Sequence, residues 1–188
     1  MFENLKRKEF YYPILILFAV VIFDQITKII AKAFLQPVHS IKILGNFLRF
    51  TYVENPGMAF GIQIANKPLF NFLSLLAIFV IMFYLIKMKD QPLLRFAFII
   101  ILGGAFGNLI DRFLYGKVVD FIDVEFFDIS FNGAKLLFYE IPPYYMDRWP
   151  VFNIADSAVT IGMVIIILTA IFEKKTNPAV SNAAQEDI

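Results

Sequence analysis

The sequence contains no cysteine, which excludes disulfides, thiolate zinc sites and a cysteine nucleophile. It has a single histidine, His39, which leaves no histidine-rich metal cluster. With no G-x-S-x-G stretch in the chain, a serine–histidine hydrolase is excluded as well. The formal net charge is only +1 over 188 residues, so nothing points to a nucleic-acid partner. No small-x-small cleavage site follows the basic cluster Lys6, Arg7 and Lys8. The apolar run behind that cluster, Tyr11 to Leu35, is too long for the apolar core of a secretory signal and carries Asp24 and Lys28. It reads as a retained transmembrane helix.

What the chain has in excess is apolar surface. It is 59% hydrophobic with a mean hydropathy of +0.69, against roughly 45–50% apolar in soluble domains. Four segments, 11–34, 69–87, 93–113 and 151–172, have the length of about 20 residues that spans a bilayer. Lys87, Lys89, Asp90 and Pro92 separate the second from the third, and Glu173, Lys174 and Lys175 end the fourth. An even number of spans puts both termini on one side. Basic residues are densest before span 1, after span 2 (Lys87, Lys89, Arg95) and after span 4, which places both termini in the cytoplasm. Residues 35–68 and 114–150 become the outer loops. Residues 1–175 read as a single integral membrane domain, and the small, polar stretch 176–188 reads as a disordered tail.

The outer loops carry strand signals. Arg49-Phe50-Thr51-Tyr52-Val53 and Val118 to Phe131 are rich in β-formers. Asn132-Gly133 lies between 127–131 and 134–139 and predicts a hairpin joining them, with Pro142-Pro143 stopping the second strand. The expected fold is therefore an all-α membrane bundle of four transmembrane helices with a small antiparallel β-rich extracytoplasmic subdomain, its aromatic side chains reaching the interface.

Ionisable residues inside spans are costly and usually functional. Asp24 lies about 20 Å along span 1 from Tyr11 at 1.5 Å per residue, and Lys28 is one turn further out. Asn108, Asp111 and Arg112 fall in the last turns of span 3; Asn153, Asp156 and Ser157 fall in the first turns of span 4. Three helices thus bring their polar groups to the outer part of the membrane. Asp24 and Lys28 are spaced i, i+4 with the acid first, the better order for a helical ion pair. Gly103, Gly104 and Gly107 allow close helix approach in lipid. Taken singly, each feature also has a plain structural reading: a packing ion pair, a helix-end anchor, an acid favoured by the helix macrodipole, a solvated loop acid at Asp120, a turn at Asn55-Pro56-Gly57, a loop residue at His39.

Five blocks in order go further. Phe23-Asp24-Gln25-Ile26-Thr27-Lys28, Val53-Glu54-Asn55-Pro56-Gly57-Met58-Ala59-Phe60-Gly61, Gly103-Gly104-Ala105-Phe106-Gly107-Asn108-Leu109-Ile110-Asp111-Arg112, Val118-Val119-Asp120-Phe121 and Phe152-Asn153-Ile154-Ala155-Asp156-Ser157 resemble the signal peptidase II family of bacterial lipoprotein signal peptidases, over about residues 11–172. The resemblance implies a four-helix intramembrane aspartyl endopeptidase of the bacterial cytoplasmic (inner) membrane, cutting prolipoproteins just before a lipid-modified cysteine. It implies Asp120 and Asp156 as the catalytic pair. It implies supporting or substrate-binding roles at Asp24, Lys28, Asn55, Gly57, Asn108, Arg112, Asn153, Ala155 and Ser157. Expected partners are lipid-modified prolipoproteins, membrane lipids and globomycin-type inhibitors, with no metal or cofactor and a monomeric chain. The connection from Asp120 to Asp156 is longer than in better-known members, which puts the family's substrate gating in doubt for this chain. Two other readings use the same residues: a serine–lysine protease built on Ser157 and Lys28, and a proton-linked transporter or channel using the membrane aspartates.

Overall fold

The computed structural model describes residues 2–56, 67–87, 90–126, 128–136 and 139–173. Gly57 and the tail 176–188 lie outside the described residues. Among the described residues four helices form: α1 (Phe2–Leu35), α2 (Lys67–Lys87), α3 (Pro92–Tyr115) and α4 (Ile154–Glu173). Three of them carry apolar stretches long enough to cross a membrane, Tyr11–Leu35, Pro92–Tyr115 and Ile154–Phe172, while the apolar stretch of α2, Asn71–Lys87, is shorter. Phe18, Ile22, Ile26, Ile29 and Phe34 on α1 and Ile161, Val164 and Leu168 on α4 stand exposed. Such surfaces need a lipid solvent, since a water-soluble monomer does not leave apolar patches of that size uncovered.

Helix α1 starts earlier than the expected 11–34, because hydropathy marks where the apolar run begins, not where the helix does; the helix continues through the basic cluster ahead of Pro13. Helix α4 starts later than the expected 151. Phe152 pairs with Ile122 as an isolated bridge, its N–H donating to the Ile122 carbonyl at 3.0 Å, so residues 151–152 are extended and Asn153 becomes the helix cap.

Helix α3 is the centre of the bundle, and the other three helices pack on it. Small residues set its approach to α4. A Cβ on Gly104 would collide with the Ala155 carbonyl oxygen and lie 2.9 Å from Val159 Cγ2. One on Gly162 would lie 2.8 Å from the Ala97 carbonyl oxygen. Gly104→Ala therefore has to push α4 off α3, because a backbone oxygen cannot rotate aside. We expect a stability loss of about 1–3 kcal/mol, as for other overpacked cores, read as a lower Tm in detergent; an unchanged Tm would show that this contact is not tight. Gly116, at φ 68°, closes α3 in the left-handed conformation, and its N–H donates to the Arg112 carbonyl.

A three-stranded antiparallel sheet caps one end of the bundle: β1 (Ser40–Leu44), β2 (Leu48–Asn55) and β3 (Val118–Val124), in the order β1-β2-β3. Phe121 on β3 packs with Ala31 and Leu35 at the end of α1. The sheet is thereby seated on the helix that carries Asp24 and Lys28.

The expected hairpin around Asn132-Gly133 is not formed. Instead β4 (Ile129–Phe131) pairs with β7 (Tyr144–Met146), and β5 (Ala134–Leu136) pairs with β6 (Tyr139–Ile141). The two ladders keep one register, so they make a single ribbon interrupted in the middle. The physical reason is the pair of prolines. Pro142 and Pro143 have no N–H to give to a ladder, and Gly133 lies against them, at φ 84° with its would-be Cβ 2.9 Å from the Ile141 oxygen and 3.2 Å from the Pro143 nitrogen. Asn132-Gly133 is the partner of the proline break rather than a reversal of the chain.

Candidate active site

The site is assembled from the cap of α4 outward. Asn153 Oδ1 accepts the Asp156 N–H at 2.9 Å, and Asp156 Oδ2 accepts the Asn153 N–H at 3.3 Å. This is a reciprocal capping box with an aspartate in the third helical position, where the helix macrodipole also favours negative charge. Because its oxygen is committed to the helix, the Asn153 amide nitrogen has to point away from it. It donates to Asp120 Oδ1 at 2.6 Å and to Asn108 Oδ1 at 3.1 Å. Asn153 is fully buried, so these partners satisfy donors that would otherwise be stranded.

Asn108 is oriented from the other side. Its Oδ1 also accepts from Lys28 Nζ at 2.9 Å. Lysine can only donate, so the Asn108 amide nitrogen faces the other way and donates to Asp156 Oδ1 at 2.7 Å. Lys28 in turn sits between two carboxylates, Asp24 at 2.8 Å and Asp111 at 2.7 Å, in a cluster almost wholly shielded from solvent. Asp24 Oδ1 accepts the Ala155 N–H at 2.9 Å, and Gln25 donates to Asp111 at 3.0 Å and to the Gly107 carbonyl at 3.1 Å. Gly107 has no side chain to intrude: a Cβ there would lie 2.6 Å from Asp24 Oδ2. One ion cluster thus fastens α1, α3 and α4 together directly beneath Asn108.

Asp120 arrives on β3, opposite Val53 of β2 in the ladder. Asn55, at the end of β2, donates to Asp120 Oδ2 at 3.1 Å. The end of β2 is itself tethered, since Glu54 accepts from Lys117 at 2.5 Å and from the Tyr52 hydroxyl at 2.8 Å. Both oxygens of Asp120 therefore receive amide donors while the side chain is almost completely buried. Its pKa is pushed up to about 7, first by burial and second by the negative charge of Asp156; the Asn55 and Asn153 donors pull in the opposite direction.

Asp120 and Asp156, far apart in the chain, open onto one cavity of about 570 Å³. Asn55, Asn108, Arg112 and Ser157 join them on its polar side. Val159, Thr160 and Ile161 continue the lining down α4, and Phe126, Trp149, Pro150 and Phe152 form the opposite, loop-side wall. Ala155 contributes its backbone N–H and is fully buried. Ser157 Oγ donates to the Asn153 carbonyl at 2.9 Å, while Lys28 is held by Asp24, Asp111 and Asn108, which gives a serine–lysine pair no geometry here.

Gln25, Asp111 and Phe152 stand within the five sequence blocks without a role of their own, and Phe126 and Trp149 stand in none of them. Asp111 and Gln25 had a signal in their spacing, i, i+3 from Asn108 and next to Asp24. The aromatic wall had none, because a loop aromatic is indistinguishable in sequence from any other.

Residues 16–172 match the family model of signal peptidase (SPase) II. A lipoprotein signal peptidase of Pelodictyon phaeoclathratiforme is 37% identical over 175 residues, covering 92% of this chain and 96% of the relative. One from Chlorobaculum tepidum is 40% identical over 156 residues, 82% of this chain and 90% of the relative. Two solved structures described as a bacterial membrane enzyme superpose with TM-scores of 0.69 and 0.67, at 32% and 33% identity, over 89% and 86% of this chain and 92% and 93% of theirs. Two carboxylates set by asparagines over a buried ion cluster thus occur in a chain that matches one family along nearly its whole apolar length, and this multi-pass membrane protein belongs to the signal peptidase II family.

Proposed function

We propose that the protein is an aspartyl endopeptidase that removes signal peptides from prolipoproteins, cleaving before the diacylglyceryl-modified cysteine, with Asp120 and Asp156 as the catalytic pair. The observation that carries this reading is that the two carboxylates face one cavity, each hydrogen-bonded to an asparagine of the same Asn108–Asn153 bridge. Two like charges facing one cavity do not both ionise cheaply, so the pair holds one proton near neutral pH. The ionised member takes a proton from water as that water attacks the scissile carbonyl. The protonated member donates a hydrogen bond to the carbonyl oxygen, and the tetrahedral intermediate collapses with proton return to the leaving amine. The proton belongs to the pair rather than to one residue.

In this reading α2 is the fourth span, both termini are cytoplasmic, and the cavity opens near the outer leaflet, where water reaches the carboxylates while acyl chains stay in lipid. Residues 1–175 act as one peptidase domain and the chain works as a monomer. Arg112 and Ser157 face the bound peptide, Asp24, Lys28 and Ala155 hold the helices, and Gly57 keeps the supporting or substrate-binding role that the family resemblance implies. Globomycin-type peptides compete for the same cavity.

The test is the pH dependence of cleavage of a synthetic diacylglyceryl prolipoprotein peptide by the protein in nanodiscs. The singly protonated pair is the active form, so kcat/KM falls as pH rises through the value near 7 at which the pair loses its proton. The Asn55 donor favours the ionised form; removing it favours the protonated one. Asn55→Ala therefore moves the alkaline limb upward by about half to one pH unit, the scale of one hydrogen bond. A limb that stays put or moves down contradicts the assignment of Asp120 to the active pair.

A further inference from the structure

The loop-side wall of the cavity is built in a way that the pair chemistry does not require. Phe126 lies just past the end of β3 and Trp149 just past the end of β7, and their rings meet edge to face at 6.3 Å. Phe47, in the turn between β1 and β2, meets Phe126 in the same manner at 6.0 Å. These aromatics are partly exposed at the cavity rim, Phe126 at 59% and Trp149 at 37%. The Glu125 N–H donates to the Phe47 carbonyl at 2.9 Å, and one side chain adds to this backbone tie between the segments that carry them. Arg148 Nε donates to Asp123 Oδ1 at 2.6 Å, Nη2 to the Asp123 carbonyl at 3.2 Å, and Nη1 to the Asn46 carbonyl at 2.9 Å and to Glu125. Asp123 is buried and also accepts the Thr51 hydroxyl at 2.6 Å. The Trp149 N–H donates to the Val124 carbonyl at 2.9 Å. Arg148 thereby joins the β1–β2 turn, the end of β3 and the foot of the ribbon, next to Phe126 on one side and Trp149 on the other.

We propose that Phe126 and Trp149 form an aromatic jaw against whose joined rings an apolar side chain of the substrate's peptide packs, and that Arg148 is the positioning residue that holds the two rings together. The cavity gives the direction. Its far lining, Val159 to Ile161, descends α4 into the span and suits acyl chains, whereas the jaw stands on loops and strands beyond the helix ends and suits peptide. The planar guanidinium reaches four acceptors from one fork, which a lysine ammonium cannot do. The jaw rests on the endopeptidase reading, because it presumes a peptide in this cavity.

Trp149 is the sole tryptophan of the chain, so its emission reports on the jaw alone. In the Asp120→Asn protein, which binds without cutting, titration with a diacylglyceryl peptide shifts Trp149 emission to the blue and saturates. Arg148→Gln and Arg148→Lys both move the midpoint of that titration to about tenfold higher peptide. In the otherwise unaltered enzyme, Arg148→Gln raises KM by a similar factor, changes kcat less than twofold and leaves the pH profile in place. Phe126→Ala raises KM alike, and the double variant is no worse than Phe126→Ala alone. A peptide that the parent cuts without moving Trp149 emission overturns the jaw alone, as does an Arg148→Gln defect confined to kcat or additive with Phe126→Ala. A peptide that neither binds nor is cut overturns the endopeptidase reading and the jaw with it.

Discussion

Asp120→Asn and Asp156→Asn each reduce cleavage of a lipidated precursor by at least about 10²–10⁴-fold, the contribution of a positioned proton carrier, while the protein inserts and folds as before. Each substitution keeps the size of the side chain and removes only the titratable group. The structural consequences are small for different reasons. An asparagine at 156 still presents an oxygen to the Asn108 amide, which donates at 2.7 Å. An asparagine at 120 still presents one to Asn153, which donates at 2.6 Å, and the Asn55 amide turns its oxygen to the new NH2 group. Burial of an ionised carboxylate at 120 is unfavourable, as its pKa near 7 records, so removing the charge does not lower Tm above neutral pH. The sign follows from linkage: with the folded pKa raised above the unfolded one, the stability tied to the protonated group is full below about pH 4 and is lost as pH rises through 7. Turnover near the parental level in either variant rejects the pair. A fall in Tm parallel to the fall in activity assigns the loss to folding instead.

Lys28→Met has the largest expected effect on stability. Lys28 is the cation between Asp24 and Asp111, and all three are almost wholly buried. Removing one partner from such a cluster leaves uncompensated charge and costs about 3–5 kcal/mol, far more than the packing of a methionine returns. The damage reaches the site as well. Without the Lys28 donor, the Asn108 oxygen keeps only its contact from Asn153, and the amide is free to turn its oxygen toward Asp156. Replacing all three charges together, with Asp24→Asn, Lys28→Met and Asp111→Asn, restores most of the stability, since a buried ion group is replaceable by neutral residues more cheaply than it is broken. Thermal unfolding in detergent reads both. An unchanged Tm in Lys28→Met would show that the cluster is hydrated and not the fastening described here.

Most of this architecture was legible from the residues because lipid imposes simple patterns. The helices followed from runs of apolar residues, and the polar cluster followed from the cost of Asp24, Lys28, Asn108 and Asp156 in such runs. The ends were less legible. Nothing in the hydropathy of residues 151–152 says that Phe152 hydrogen-bonds to Ile122, yet that bridge decides where α4 begins and makes Asn153 its cap. The outer ribbon departs from the expected hairpin because Asn-Gly is a strong local signal, while the register is set by Pro142-Pro143 across the ribbon, a partnership between residues that no local pattern records. Arg148 stayed invisible for the same reason: its acceptors lie on two other segments. The role of Asp120 was the least local feature of all. Four acids crowd residues 120–128, and only the fold shows which of them Asn55 and Asn153 enclose.

The central claim is that the two aspartates share one proton at neutral pH, and infrared difference titration of the protein in nanodiscs measures it directly. The protonated-carboxyl band is predicted to lose intensity in a step near pH 7, to lack that step in Asp120→Asn, and to have the step shifted to lower pH in Asp156→Asn, where the second charge no longer opposes ionisation. A parent protein with no carboxyl step near neutrality, or one whose step ignores the Asp156 substitution, would contradict it.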